Sequence, residues 1–536
     1  MHHELLSVLG LLFAVLLLVM LAQRIKVAYP IFLVIAGLAI GLIPGTPILK
    51  LDPDLIFLIF LPPLLYEAAW YTAWKEFWKW KRPIALLAFG LVFFTSTIVA
   101  YASIEIIPGF TLALGFLLGG IISPPDAVAA ATVLKGMKVP HRILTILEGE
   151  SLVNDATSLI VFRFALAAIL TGTFSLQQAG GSFVVVTVMG IVVGLAGAHV
   201  MYAIHRFFPT TASIDAALTV MTPYLLFLAA EQFHYSGVMA VVSGGLFISW
   251  RSHEIFQDGV TRLNMLGVWN TMIFVMNALV FILIGLSLPD IVAGLGAYSI
   301  ADGIRYGLLI SAIVIGLRFL WVFPATHLPR MLSESVRREA NPGWKGPLVI
   351  SWAGMRGVVS LATALSIPML MADGSAFPYR NLIIFITFVV IFVTLVLQGL
   401  TLPLLIRWID LREIDDTRPP DEQMTGITLH INKAALAHLE KHFVYESKSN
   451  ELIGLLKKDL QHDIRNLSQR LESLGCDESE KNEIRVYRKV LSELYKVQRE
   501  ELFLLRQQSR FHDEHIRRAE LQLDLHQTKI AEHGLR

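Results

Sequence analysis

Thirteen apolar runs dominate the chain between residues 5 and 406. A helix of about 20 mainly apolar residues crosses the hydrocarbon core of a bilayer, and the whole chain is 55% apolar with a mean hydropathy of +0.61. We therefore predict an all-α membrane protein with about 13 transmembrane helices. The predicted spans are 5–23, 28–43, 54–71, 83–107, 111–134, 143–170, 181–205, 212–231, 235–250, 264–288, 302–322, 346–371 and 379–406.

The basic residues of the loops predict an orientation for these spans. With the N-terminus outside, sixteen lysines and arginines fall in cytoplasmic loops, whereas only Lys50 and Arg380 lie in or beside outer loops. Cytoplasmic loops of membrane proteins carry an excess of Lys and Arg. We therefore expect a multi-pass protein of the cell membrane with a cytoplasmic C-terminal part. The first run lacks the basic flank and cleavage site of a signal peptide, so we interpret it as a retained span.

The distribution of charge divides the chain. Residues 411–536 hold about half of the 43 acidic and 44 basic residues, so we predict a transmembrane domain over 1–410 and a charged cytoplasmic tail over 411–536. Apolar residues recur every three or four positions over 452–474 and 484–494, which predicts amphipathic helices. We expect the tail to bind itself, the membrane domain or a regulator. The lone Cys476 excludes an intramolecular disulfide.

Two carboxylates, Glu150 and Asp155, lie inside the apolar run 143–170. A charged side chain at the bilayer centre costs roughly 2.5–3.5 kcal/mol even on the more lenient scales. On a helix, residues four apart share a face, so Glu150 lies with Asn154 and Ser151 lies with Asp155. The chain therefore needs partners for these acids, and their retention suggests a function.

The preceding run is interrupted at residues 123–126, Ser-Pro-Pro-Asp. Two successive prolines remove two backbone donors and clash with the preceding turn, so the helix should break there. A break at bilayer depth is tolerated only where the freed carbonyls line a cavity or bind a ligand. We therefore predict a cation site at the break. Asp126 could be a ligand, a cap on the second half-helix, or both.

A second interruption is predicted at residues 351–357, where two glycines flank Arg356. Spans one to six run with the opposite sense to spans eight to thirteen, and span seven links the two sets. Each interruption falls in the fifth span of its set. Helices interrupted at matching places in two halves indicate an inverted-repeat transporter, here two six-helix repeats with two broken crossing helices.

Asp155 is the strongest candidate for the functional group. Desolvation favours its protonated form and a nearby cation favours its ionised form, so it could exchange one ligand for the other. The alternative is a structural acid neutralised by hydrogen bonds. Asn154 offers an amide but no charge. We expect Glu150 to pair with Arg356, because each would be costly alone in lipid, although Glu150 could itself carry protons.

Three further charged residues fall within or near the spans: Glu67, Arg163 and Arg318. Arg163 lies two turns past Asp155 and could tune its protonation. The alternative is that Arg163 is paired elsewhere or extends toward the interface. Glu67 lies near a predicted cytoplasmic end, where exposure at the interface is expected.

Four segments resemble motifs of the sodium/proton exchangers. Residues 149–155 match their Asn-Asp signature, 123–129 resemble the partner motif on an unwound helix, 354–357 their arginine motif, and 61–64 an early segment. The match covers roughly residues 5–407. It implies the monovalent cation:proton antiporter superfamily, in the electroneutral branch that includes the bacterial NhaP proteins.

The resemblance also implies roles for individual residues. The cation site would consist of Asp155, Ser151, Asp126 and the carbonyl of Pro125, with Glu150 and Arg356 as a stabilising ion pair. The family resemblance implies a homodimer in which a mobile core moves like an elevator. The dimerisation part would cover about 1–80 and 212–288, and the core about 83–170 and 302–407. Na⁺ and H⁺ would be cargo, with no cofactor and no nucleic acid partner.

Two other functions are less consistent with these residues. A cation channel would favour rings of charge or carbonyls rather than one titratable pair between broken helices. An intramembrane aspartyl protease using Asp126 and Asp155 would need sequence contexts that the chain lacks. We therefore predict a secondary antiporter and not an enzyme. Na⁺ is the favoured substrate, with Li⁺ and K⁺ as alternatives, and exchange is expected to be electroneutral because Asn154 cannot ionise.

Overall fold

A computed structural model describes residues 2–43, 53–134, 137, 139–172, 176–256, 258–295, 298–337, 341–371, 373–409, 411 and 420–473, with scattered positions from 490 to 523. Apart from an isolated β-bridge between Leu370 and Ala376, the regular structure of these residues is helical. The predicted all-α class is therefore confirmed. Contacts divide the chain into two compact units, Met1–Asp415 and Asp416–Arg536.

The first unit contains twenty α-helices within its described residues. The first ten are α1 (His2–Arg24), α2 (Tyr29–Gly41), α3 (Pro53–Tyr71), α4 (Trp74–Lys79), α5 (Lys81–Ala85), α6 (Val92–Ile106), α7 (Leu112–Ile122), α8 (Ala127–Leu134), α9 (His141–Thr171) and α10 (Leu176–Phe207). The next ten are α11 (Ala212–Gln232), α12 (Gly237–Ile255), α13 (Gly259–Leu286), α14 (Leu288–Ala293), α15 (Ile300–Leu332), α16 (Glu334–Arg337), α17 (Lys345–Trp352), α18 (Val358–Leu365), α19 (Arg380–Val393) and α20 (Gly399–Ile409). Two π-helical turns, Leu86–Leu91 and Thr394–Gln398, connect α5 to α6 and α19 to α20.

Several of these helices begin at a capping side chain. Thr111, Thr211, Ser236 and Asp258 each accept a hydrogen bond from the backbone N–H three residues further on. Such a bond satisfies one of the donors that the first turn of a helix leaves unpaired. The starts of α7, α11, α12 and α13 are therefore encoded locally.

All thirteen predicted runs coincide with helical segments, although several of these segments are interrupted or kinked. Within the described residues, eight segments are long and apolar enough to cross a membrane, and two shorter apolar helices precede them. The eight are Lys81–Ile106, Leu112–Leu134, His141–Thr171, Gly180–Phe207, Ala212–Gln232, Gly259–Ala293, Ile300–Leu332 and Arg380–Ile409. The number of thirteen crossings therefore stays a prediction.

Helix α9 lies between two hydrophobic clusters. Residues such as Ile146 and Phe162 pack into a large cluster with α5–α8, α15 and α17–α20. Leu152, Ala156 and Leu159 pack instead against α3, α11, α12 and α13. Burial on opposite faces fixes α9 at the centre of the unit, where Glu150, Asn154 and Asp155 are withdrawn from solvent.

In the second unit, the described residues form α21 (Pro420–His442), α22 (Glu446–Ser449) and α23 (Glu451–Ser473). Helices α21 and α23 pack against each other, and Lys457 Nζ lies 3.0 Å from Glu440 Oε1. The amphipathic helix predicted over 452–474 corresponds to α23. Most of the segment predicted as helical over 484–494 lies outside the described residues.

Candidate ion-binding site

The first helix interruption separates α7 from α8. Helix α7 ends at Ile122, and α8 begins at Ala127, after Pro124 and Pro125. Asp126 Oδ1 accepts a hydrogen bond of 2.8 Å from the backbone N–H of Val128. Asp126 is therefore the N-cap of α8, which confirms one of the two roles considered for it. Its carboxylate is also favoured there by the positive end of the helix dipole.

The second interruption separates α17 from α18 and touches the first. Asp126 N–H donates a hydrogen bond of 2.7 Å to the carbonyl of Met355. Arg356 N–H donates to Thr394 Oγ1 at 3.1 Å, within the second π-helical turn. Backbone groups freed by each break are thus satisfied by the other break or by a neighbouring side chain, as a buried backbone requires.

Glycine at position 357 permits this close approach. A Cβ atom there would lie 1.9 Å from Oδ2 of Asp126, well inside van der Waals contact. The aspartate carboxylate is therefore packed directly against the backbone of residue 357. Any larger residue would displace either the carboxylate or the start of α18.

One side of α9 faces the first interruption. Asn154 Nδ2 donates a hydrogen bond of 3.0 Å to the carbonyl of Pro125, and Ser151 Oγ accepts one of 3.2 Å from Ala127 N–H. Asn154 is fully buried, and its Oδ1 has no hydrogen-bond partner among the described residues. The structure thus brings together Ser151, Pro125 and Asp126, three of the four residues expected to bind the cation, and places Asn154 beside them.

Asp155 lies next to this group on the same helix and is 7% exposed. It directly follows Asn154, whose amide donates to the carbonyl of Pro125, the residue before Asp126. Among the residues that the structure describes, none donates a hydrogen bond to its carboxylate. No cluster of three or more His, Cys, Asp and Glu side chains suited to a metal ion occurs within the same residues. Among the described residues, the acidic side chains of the site are therefore those of Asp126 and Asp155.

The predicted ion pair of Glu150 with Arg356 is wrong. Glu150 is paired with Arg318 of α15, whose Nη1 and Nη2 donate to Oε1 and Oε2 at 2.6 and 2.7 Å. Both side chains are 1% exposed. Two parallel bonds between a guanidinium and a carboxylate are the strongest geometry available to such a pair.

Local packing explains why Arg318 takes this place. Its Nε donates to the carbonyl of Ile350 at 3.0 Å, which holds it against the last turn of α17. A Cβ atom at position 354 would lie 2.4 Å from Cδ of Arg318. Gly354 therefore leaves the space through which the Arg318 side chain passes to reach Glu150.

Arg356 binds the end of a helix instead of an acid. Its Nη1 donates a hydrogen bond of 2.6 Å to the carbonyl of Ser123, the residue that caps the C-terminus of α7. The last carbonyls of a helix lack intrahelical partners and carry the negative end of the dipole, so a cation is favoured there. Arg356 Nε is buried and has no hydrogen-bond partner among the described residues.

The family model for the transmembrane sodium/hydrogen exchangers matches residues 10–408. The chain belongs to the sodium/hydrogen exchanger family. It is thus a multi-pass membrane protein, and the family predicted from its motifs is confirmed. The motif residues of this exchanger chain, including 123–129 and 149–155, lie within the matched region.

Individual relatives and a solved structure are also similar to this chain. A sodium, potassium, lithium and rubidium/H⁺ antiporter of Bacillus pumilus is 36% identical over 70% of this chain, but the exchanger chain spans only 57% of that relative's length. A Na⁺/H⁺ exchanger of Mycobacterium tuberculosis is 30% identical over 98% of this chain and 95% of its own length. The solved structure of the antiporter MjNhaP1 from Methanocaldococcus jannaschii superposes with a TM-score of 0.56 at 19% identity, covering 74% of this chain and 99% of that one. This likeness confirms an NhaP1-like fold.

Two remaining charged residues of the exchanger are explained by the structure. Arg163 Nη2 lies 2.8 Å from both carboxylate oxygens of Glu231 on α11, so the paired alternative is correct. Arg318 was named in the sequence as a charge within a span, but its partner was missed. No sequence signal distinguishes Arg318 from Arg356 as the partner of Glu150, because both lie in predicted spans far away along the chain.

Proposed function

We propose that this protein is a secondary antiporter that exchanges a monovalent cation for H⁺, with Na⁺ as the favoured cation and Li⁺ or K⁺ as alternatives. The observation that carries the proposal is Asp155, a buried carboxylate that receives no hydrogen bond from the described residues. It directly follows Asn154, whose amide donates to the carbonyl of Pro125, next to a second acid, Asp126. Two carboxylates close together in a desolvated site disfavour a doubly charged state. Binding either a proton or a cation relieves this repulsion, which makes the two ligands exclude each other.

The neighbouring oxygens suit an alkali cation. Ser151 Oγ and the carbonyl of Pro125 are hard donors beside the two carboxylates. Asn154 donates to the Pro125 carbonyl and thereby orients it, while the second lone pair of that oxygen stays available. In the proposed cycle, Asp155 releases its proton as the cation enters this set of oxygens, and takes one up as the cation leaves.

We extend the proposal to the architecture around the site. Thirteen crossings would form two inverted six-helix repeats, with the interrupted helices α7–α8 and α17–α18 as the crossing pair and with the N-terminus outside. Residues 1–80 and 212–288 would form a homodimer contact, residues 83–170 and 302–407 the moving part, and the cytoplasmic tail a regulatory element. Contact between the two interruptions supports the crossing arrangement, and the NhaP1-like fold supports the membrane-domain architecture.

Replacing Asp155 by Asn tests the central residue. The amide keeps the size and an oxygen ligand but cannot take up a proton, so we expect Na⁺-driven proton flux to be abolished. Dequenching of a pH-sensitive dye in everted vesicles on addition of NaCl measures this flux. Asp215→Asn is a matched control, because Asp215 is also 7% exposed but pairs with His205 away from the site.

Exchange that persists in Asp155→Asn at the wild-type rate would refute the assignment. Loss of exchange in both variants, with both proteins inserted and folded, would show that the effect is not particular to Asp155. The same assay with Na⁺, K⁺, Li⁺ and Rb⁺ identifies the cation, since the Bacillus pumilus relative is described as an antiporter for all four.

The stoichiometry provides a second test. If Asp155 is the only group that alternates, one proton leaves for each monovalent cation and the cycle moves no net charge. Any net charge would couple exchange to the membrane potential by about 2.3 kcal/mol per 100 mV. We expect the Na⁺-driven rate to be unchanged when valinomycin and K⁺ impose a potential, under conditions where K⁺ is not a substrate. Marked acceleration would mean that Asp126 or Glu150 carries a second proton.

A further inference from the structure

The ion pair between Arg163 and Glu231 connects two helices that the proposed cycle assigns to different parts of the protein. Arg163 lies on α9, within the proposed moving part, and Glu231 lies on α11, within the part proposed to form the dimer. Arg163 Nη2 lies 2.8 Å from both carboxylate oxygens of Glu231. The Glu150–Arg318 pair differs, because it joins two helices of the moving part. A displacement of one part against the other must therefore act on the Arg163–Glu231 pair.

The Glu231 side of this pair is firmly held. Glu231 Oε1 also accepts a hydrogen bond of 3.2 Å from the backbone N–H of Gly237, in the first turn of α12, where the helix dipole favours a negative charge. The turn before α12 is tied to α10, because Ser236 N–H donates to the carbonyl of Val186 at 3.3 Å. The carboxylate is thus fixed between α11 and α12, and it gives Arg163 a partner of defined position.

The packing of α9 differs on its two sides. Against α7 the backbones are in close contact, since a Cβ atom at Gly120 would lie 2.9 Å from the backbone nitrogen of Phe162. Near the ion pair, by contrast, a small cavity of about 10 Å³ remains, and its lining includes Leu159, Ile160 and Val238. Apolar contacts are not directional. The surface between α9 and α12 therefore allows a shift that the contact between α9 and α7 resists.

The ion pair is partly exposed, which limits its strength. The side chain of Arg163 is 43% exposed and that of Glu231 is 28% exposed. Coupling between partly exposed charges corresponds to a factor of up to about five in an equilibrium constant. An interaction of this size biases a conformational equilibrium without fixing it, as a reversible contact between moving parts requires.

The pair lies on one side of the ion-binding site. Arg163 follows Asp155 by two helical turns, and Glu231 is the last residue but one of α11. In the orientation expected from the basic loops, both helices run from the cytoplasm outward. The pair would then join α9 to α11 between Asp155 and the outer surface.

We propose that the Arg163–Glu231 pair is a conformational latch, formed while the outer route to Asp155 is closed and broken when the moving part is displaced. This inference rests on the proposed function, because a latch requires that the two parts move. An ion pair that exists in one of two states favours that state by the free energy of the pair. Neutralising either partner should therefore open the outer side more often, and exchanging the two charges should restore the closed state.

A cross-link at the pair tests whether the two helices must separate. Arg163→Cys/Glu231→Cys is made in a Cys476→Ser background, which removes the single native cysteine. The protein is reconstituted in vesicles, and Na⁺-driven proton flux is measured before and after treatment with a short bismaleimide. We expect the cross-link to abolish the flux, because a covalent link at this place cannot open.

The control cross-links two helices within one part. Tyr71 on α3 donates a hydrogen bond of 3.4 Å to Asn270 Oδ1 on α13, and both side chains are exposed. Cross-linked Tyr71→Cys/Asn270→Cys should keep its untreated flux. Unchanged flux after cross-linking at Arg163 and Glu231, or equal loss in both variants, would overturn the latch. Absence of flux before any cross-linking, in the wild type as well, would instead count against the proposed function.

Labelling of a buried cysteine tests the latch without ion flux. Ile160 is 5% exposed and lines the small cavity beside the pair. In the Cys476→Ser background, the thiol of Ile160→Cys should therefore react slowly with a membrane-impermeant maleimide added from outside. Adding Arg163→Gln or Glu231→Gln should raise the labelling rate by up to about fivefold. Arg163→Glu/Glu231→Arg should return the rate to that of the starting protein.

A matched control removes a charge from an ion pair within a single helix. Arg251 pairs with Glu254 on α12, and their side chains are 37% and 30% exposed, close to the values for the latch. Arg251→Gln should leave the labelling rate of Ile160→Cys unchanged. Equal rates with and without the Arg163–Glu231 pair would overturn the latch. Labelling of the charge-exchanged variant as fast as that of the neutralised variants would overturn it too.

Discussion

Two arginines, Arg318 and Arg356, lie in the same buried region, and each is 1% exposed. They differ in what they bind. Arg318 forms a two-bond ion pair with the carboxylate of Glu150, whereas Arg356 donates to the carbonyl of Ser123 at the end of α7. One cation is therefore neutralised by a full charge, and the other by the partial charge of a helix terminus.

This difference shows that two buried arginines in one membrane domain can have different structural roles. The Arg318 pair joins two helices, α15 and α9, and removal of either partner would leave an uncompensated charge. Arg356 instead stabilises a break within one helix, and among the described residues its removal would leave the Ser123 carbonyl without this donor. The consequences of mutation should therefore differ in size and in their dependence on Glu150.

The largest effect is expected for Arg318→Met. This change leaves Glu150 buried without its counter-charge, and breaking a buried pair costs about 3–5 kcal/mol. Thermal unfolding in detergent should show a large loss of stability. Adding Glu150→Gln to the same chain should recover a substantial part of it, because the amide needs no counter-charge. A melting temperature equal to that of the wild type would contradict the importance of the pair.

A smaller effect is expected for Arg356→Met. Its main loss is one charge-assisted hydrogen bond to the Ser123 carbonyl, worth about 1.5–3 kcal/mol. The same unfolding assay measures it, and Arg356→Lys serves as a control that keeps the charge while changing the geometry. If Arg356→Met destabilises more than Arg318→Met, the two roles assigned here are reversed.

The smallest effect is the coupling between Glu150 and Arg356. No hydrogen bond or ion pair joins Glu150 to Arg356 among the described residues, whereas Glu150 and Arg318 form two. A double-mutant cycle with Glu150→Gln and Arg356→Met should therefore show a weaker coupling energy than that of a direct ion pair. The parallel cycle with Arg318→Met should show strong coupling. Comparable coupling in the two cycles would indicate that both arginines share the charge of Glu150.

Much of this arrangement could be predicted from the sequence because it is local. Two adjacent prolines predict the break between α7 and α8, and helical spacing predicts that Ser151 and Asp155 share a face. The partner of Glu150 could not be predicted, since it depends on how α15 packs against α17. Steric space at Gly354 decides this, and spacing along the chain does not reveal it.

The hydrogen bonds between the two interruptions restrict how the site can open. Asp126 N–H is bound to the Met355 carbonyl, and the Pro125 carbonyl to Asn154 of α9. Separating these segments in an interior without water would leave several polar groups without hydrogen-bond partners, at a free-energy cost of about 1–3 kcal/mol for each group. A movement that separated these segments would therefore have a high free-energy cost. In the proposed antiporter, displacing α7, α8, α9, α17 and α18 together as one body would admit water while the bonds that shape the site stay closed.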